Sequence, residues 1–272
     1  MTTLKLTDIL DRAVLPSFPA AVMCVLEKIR DEDSSLTQIA DAVQCDPGLT
    51  VRILKTVNSA SFGARRAIEN VSHAVSFLGR SQLESLVLAL AVKGALPRQD
   101  VRGFESSRFW TSAAQRATLA RRFAAELHPA DQGDCFSIGL LQDMAVPILA
   151  TTAPDEYGPV LEEWHGVGES ELDRLEQEAF GWTHGEVGLR LADRWALPTK
   201  LADGIANHHG RGSAAFAPSI HLVSFLRETA PDAGVEVLIE EGRSHYGLEA
   251  DWMIETVIQA CEEAYDLAEL LR

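Results

Sequence analysis

A chain of 272 residues that is 46% hydrophobic and 24% charged holds enough apolar material for one large domain or two closely packed subdomains, without disulfide or metal staples. Its formal net charge of −16 opposes nucleic-acid phosphates and anionic membrane surfaces unless basic side chains gather on one face, so protein partners are expected instead. Cys24, Cys45, Cys135 and Cys261 lie far apart with no C-x-x-C pair, and read as buried free thiols of a reducing cytosol.

The opening stretch MTTLKLTDILDRAVLP carries acids early and has no continuous apolar core, unlike a secretory signal. The most apolar run, 86–92, is less than half of a bilayer span. A soluble, cytoplasmic chain is expected.

Helical signals recur throughout, and no run of β-branched residues alternates with polar ones, so the predicted class is all-α. Ser35-Leu36-Thr37-Gln38 is a capping-box pattern, followed by Leu36, Ile39, Ala40 and Val43 on one helical face. Asp46 as N-cap and Pro47 at the first position start the next helix, which shows Leu49, Ile53, Leu54 and Val57 on one side and ends near Asn58-Ser59. Ala60-Ser61-Phe62-Gly63 predicts a turn with Phe62 plugging the core. A long apolar helix follows from about Val71, interrupted at Gly79. Pro97 and the polar residues after it mark an internal boundary, giving a bundle over 1–97 and a second helical unit over 98–272. Further helices are predicted at about 104–127, 132–150, 155–165, 169–180, 184–195, 198–208, 216–230 and 249–271.

Chemistry-bearing motifs are sparse. There is no G-x-S-x-G elbow and no cysteine beside a histidine, and Gly166-Val167-Gly168 is a short turn signal without the strand–loop–helix setting of a nucleotide site. What does recur is an ordered set: Leu15-Pro16-Ser17-Phe18-Pro19, Asp46-Pro47-Gly48-Leu49-Thr50, Asn58-Ser59-Ala60-Ser61-Phe62-Gly63, Phe77-Leu78-Gly79-Arg80, Gly139-Leu140-Leu141-Gln142-Asp143, His184-Gly185-Glu186-Val187-Gly188, Trp195-Ala196-Leu197-Pro198 and His208-His209. In order and spacing this set resembles the HDOD family of bacterial signal-transduction proteins. The resemblance implies a family-specific N-terminal helical bundle packed on a degenerate helical domain similar to the HD phosphohydrolases, used as an output or adaptor module.

The resemblance also implies where an HD-type metal centre would lie. Such a centre uses a histidine on one helix, a His-Asp pair on the next and a later aspartate, since hard divalent ions combine carboxylates with neutral imidazoles. Aligned on that pattern, this chain carries Ser112, Gln142 and Ser224 in place of the two histidines and the late aspartate, and only Asp143 remains. No metal, no cofactor and no catalysis are therefore expected, with Asp143 in a structural role. His184 at a helix start, and His208-His209 before Gly210, read first as capping and packing residues. Three histidines also suit a nitrogen-rich zinc or iron site, and Ser112, Gln142, Asp143, His184, His208, His209 and Ser224 outline a degenerate pocket for a small ligand.

Two other classes compete. A metal-dependent phosphodiesterase acting on a nucleotide second messenger follows from the HD-like half, against the missing ligands. A DNA-binding helix-turn-helix follows from the two helices over 36–58, but the second offers only Arg52 and Lys55 to phosphates. The leading expectation is a non-catalytic module that binds a protein partner, with Arg65 and Arg66 after the Asn58–Gly63 turn as its contact surface.

Overall fold

In a computed structural model of the chain, residues 18–166, 171–210, 217–227 and 231–271 are described, and among them the fold is all-α. Leu15 to Ser17 of the first motif, and Val167-Gly168, lie outside the described residues. The helices are α1 Ala20–Arg30, α2 Leu36–Gln44, α3 Pro47–Asn58, α4 Val71–Ala95, α5 Ser106–Leu127, α6 Gln132–Leu141, α7 Ala145–Thr152, α8 Pro154–His165, α9 Leu172–Phe180, α10 His184–Arg194, α11 Thr199–Ala206, α12 Ala217–Ser224, α13 Pro231–Tyr246 and α14 Ala250–Leu271.

Helix starts follow the local chemistry. Ser35 and Gln38 close a reciprocal capping box, Asp46 accepts a 3.0 Å bond from the Leu49 amide, and Asn70 accepts one of 2.9 Å from that of His73. Gly79 breaks α4 with a left-handed φ of 69°, where a side chain would be strained. Immediately after it, Arg80 donates to the carbonyls of Ile29, Asp31 and Ser34, tying α4 to the end of α1 and its loop.

α5 is the hub. It packs against α6, α12 and α14, while α4 meets α6, so that one continuous core runs through both sides of Pro97. The Asn58–Gly63 motif helps make that join. Ser61 Oγ lies 2.9 Å from Thr118 Oγ1 on α5 and donates to the Glu263 carbonyl on α14. Phe62 is buried edge-on to Phe136 at 4.8 Å and beneath the Arg121 guanidinium at 4.7 Å.

Several expectations are corrected. The helix expected over 132–150 is broken at Gln142–Met144, which turns the chain between α6 and α7. Two helices have no counterpart in the sequence reading, α1 and α13; in α13, Gly234, Gly242 and three valine or isoleucine residues weaken the helical signal that packing against α14 restores. Cys24 and Cys45 are exposed, not buried, because Val22, Val25 and Leu26 take the inner face of α1 and Cys45 follows the end of α2. By length and composition the stretches Val71–Ala95 and Pro129–Thr152 could cross a membrane, but 61% and 83% of the apolar window in each is buried in the protein. The two helices over 36–58 do form a helix-turn-helix, yet Arg52 lies against α4 at Gly94 with its Nε buried, leaving Lys55 as the exposed cation of the pair.

Two outcomes are expected. Phe62→Ala should cost about 3 to 5 kcal/mol of stability, the usual penalty for deleting a buried aromatic and leaving a cavity; an unchanged urea midpoint would place Phe62 outside the core. Lys93 is buried against the Trp110 ring at 5.7 Å, and burial, then Arg98 and Arg52, push it down to about 8. An unfolded lysine titrates near 10.4, so between about pH 8 and 10.4 the unfolded state holds more protons and this residue's contribution to stability rises with pH. Lys93→Met should therefore stabilise the protein at pH 7, with an advantage that shrinks toward pH 10; an equal advantage at both would show a solvated amine.

Candidate functional site

The turn between α6 and α7 delivers Asp143 to the side of α5. The close approach is set by Gly139, one turn earlier, where a Cβ would stand 2.9 Å from the Arg116 carbonyl and 3.1 Å from Ala117 Cα. Only hydrogen fits there. Across that contact the buried Arg116 Nη1 lies 2.6 Å from Asp143 Oδ2, a pair with Arg116 2% and Asp143 13% exposed.

The other carboxylate oxygen faces the opposite way. Asp143 Oδ1 is 3.3 Å from His184 Nε2 and 3.2 Å from His208 Nε2. His184 opens α10, whose start is a capping box of Thr183 and Glu186, and Gly185 brings that end onto α11, where a Cβ would sit 2.8 Å from the Ala206 carbonyl. His208 and His209 follow the end of α11. The three Nε2 atoms converge: His184 to His208 at 3.0 Å and His184 to His209 at 3.2 Å.

What holds the rings lies one layer out. His184 Nδ1 lies 2.7 Å from Glu176 Oε2, which also accepts the His184 amide at 2.6 Å, while Tyr157 donates to the other oxygen. His208 Nδ1 donates to the Ile205 carbonyl at 2.7 Å. Both Nδ1 positions are thus directed at acceptors, so in the neutral rings the lone pair sits on Nε2 and points into the cluster.

The charges follow. Burial works against ionising His184, but Glu176 and Asp143 outweigh it and raise its pKa to about 10. Burial likewise opposes the Asp143 carboxylate, and Arg116 with His184 and His208 overcomes it, holding Asp143 well below the usual range. Burial, then His208 and His184, keep His209 neutral.

Of the residues singled out from sequence, the fold brings together Asp143, His184, His208 and His209, each offering one donor atom within 4.8 Å of the rest. Counting ligands along the HD pattern had left Asp143 alone; the fold assembles a different set. Three Nε2 atoms and one carboxylate oxygen, with outer partners on two rings, fit a single ion such as zinc, whose tetrahedral ligands sit about 3.3 Å apart, or ferrous iron with coordination positions left open. They do not fit a pair of ions, because Asp143 Oδ2 is already taken by Arg116. Ser112 lies one turn before Arg116 on α5. Its Oγ, both side-chain polar atoms of Gln142, and Arg116 Nε are buried without a hydrogen-bond partner. The Ser224 hydroxyl donates to the His221 carbonyl at 2.7 Å. Arg65 and Arg66 are exposed on the loop after the short turn and belong to another surface.

Sequence reading missed Arg116 and Glu176. Both carried a signal: each charge falls on an apolar helical face, Arg116 beside Ala113, Ala117 and Ala120, and Glu176 beside Leu172 and Leu175. Long charged residues are almost never fully buried unless paired. Asp143→Asn, which strands Arg116, should cost about 3 to 5 kcal/mol in a denaturant titration, and adding Arg116→Met should recover part of it. A loss below about 1 kcal/mol would mark the pair as solvated instead.

The chain has known relatives. It is 24% identical over 275 residues to an uncharacterized protein of Treponema pallidum (strain Nichols), covering 97% of this chain and 52% of that one, so it spans about half the length of that curated relative. Its fold is that of a Shewanella amazonensis SB2B protein provisionally named a phosphohydrolase, with a TM-score of 0.75 at 22% identity, covering 100% of this chain and 99% of that one. It is also that of a Marinobacter aquaeolei VT8 protein provisionally named for signal transduction, with a TM-score of 0.70 at 20% identity, covering 100% of this chain and 62% of that one. The sequence model of the HDOD domain matches residues 15–211, and the chain belongs to that family.

Proposed function

We propose that this chain is a non-catalytic module of bacterial signal transduction, working in the cytoplasm by binding a protein partner or a small ligand. The observation that carries this reading is Arg116 on Asp143. A phosphodiester-cleaving HD centre needs metal to polarise phosphate and activate water. Here a guanidinium already neutralises one oxygen of the remaining HD aspartate, and Ser112 and Gln142 stand where imidazoles would serve. The unpartnered polar atoms of Ser112 and Gln142 suit recognition of a small polar ligand better than bond cleavage. Family membership and the provisional name of the Marinobacter relative favour signalling as the setting.

A second reading, a metal-dependent phosphodiesterase, rests on the four converging donors and on the provisional name of the Shewanella relative. An ion held by Asp143, His184, His208 and His209 would supply Lewis acidity. The chain's own residues would then orient it, with Glu176 and the Ile205 carbonyl fixing two of the rings.

One experiment separates the two. Purified protein supplied with manganese or zinc is expected to leave cyclic dinucleotides and bis(4-nitrophenyl) phosphate intact. Turnover that tracks bound metal and disappears in His208→Ala would establish the enzyme and retire the binding module.

A further inference from the structure

Among the arginines of this acidic chain, Arg30, Arg102, Arg108, Arg122 and Arg227 each lie on a carboxylate. Arg65 and Arg66 do not. They stand exposed, side by side, with no ion pair among the described residues, on the wall of an open cleft of about 560 Å³ that His73 and Phe77 also line. Phe77 is 42% exposed, a large apolar ring left at the surface of α4.

The loop carrying the two arginines is pinned at both ends. Before it, Phe62 is buried against Phe136, and Gly63 turns the chain with a φ of 63°. After it, Asn58 holds Ile68 by two 2.8 Å bonds, accepting from its amide and donating to its carbonyl. A loop fixed in this way loses little further freedom on binding, so more of each contact is kept as affinity. Paired guanidiniums next to an exposed ring ask for carboxylates next to an apolar side chain. The volume lies within the range of about 300 to 1,000 Å³ typical of ligand clefts. Acidic surface elsewhere on the chain repels such a partner and favours this spot.

We infer that the cleft beside Arg65, Arg66 and Phe77 is a docking groove for an acidic peptide segment of a partner protein, anchored by one aromatic or aliphatic side chain. The inference rests on the proposed binding role and names the chemistry of its partner. A random peptide library displayed on phage and selected on the folded protein should enrich sequences with acidic residues flanking such an anchor. A fluorescein-labelled peptide from that pool should bind in anisotropy titrations and weaken with salt. Arg65→Glu with Arg66→Glu should lower its affinity by at least about tenfold, and Phe77→Ser should lower it as well, while Lys28→Glu on α1 should not, all at unchanged melting temperature. No enrichment, enrichment of non-acidic sequences, or equal affinity for wild type and the double variant would overturn the groove. Phosphodiester turnover would overturn the non-catalytic reading whatever this cleft binds, so the two failures are distinguishable.

Discussion

Asp143 carries a negative charge into the middle of a helical core, and its burial is tolerable because Arg116 lies on one oxygen and two imidazoles face the other. Everything around the site serves that requirement. Gly139 lets α6 approach α5 closely enough for the pair to form, and the turn at Gln142–Met144 aims the carboxylate. Glu176, itself buried, balances the proton on His184 and is held in turn by Tyr157. The network joins α5, the α6–α7 turn, α9, α10 and the end of α11, so loss of one member strands another.

The same network limits the chemistry. A metal ion needs lone pairs that are free to converge, and three Nε2 atoms and one Asp143 oxygen meet that demand. A second ion needs a bridging oxygen, and Arg116 occupies it.

The N-terminal motifs do a different job. Arg80 bonds three carbonyls of the α1 end and its loop, Asn58 clamps Ile68, and Ser61 reaches both α5 and α14. Arg80 and Asn58 thus brace the N-terminal helices, and Ser61 joins them to α5 and α14. In doing so they leave the Arg65 loop rigid and its two charges outward.

Sequence alone determined the all-α class, the starts of α2, α3 and α4, the break at Gly79 and the family, because caps, prolines and glycines act on their own neighbours and leave a local mark. It also grouped Asp143, His184, His208 and His209 in one pocket. It did not give their geometry, since positions 143 and 208 are brought together where α6 meets α11, with Gly204 against Ile138. Nor did it single out Arg116 and Glu176, whose charges read as surface until burial and partners are known. The helix over 132–150 failed for a local reason: Pro147 has no amide hydrogen for the Asp143 carbonyl, which accepts from Val146 instead, so the chain turns at Gln142–Met144 before α7. Local hydrogen bonding is written in neighbouring residues, whereas the compensation of a buried charge is settled by distant ones, and only the tertiary structure decides which.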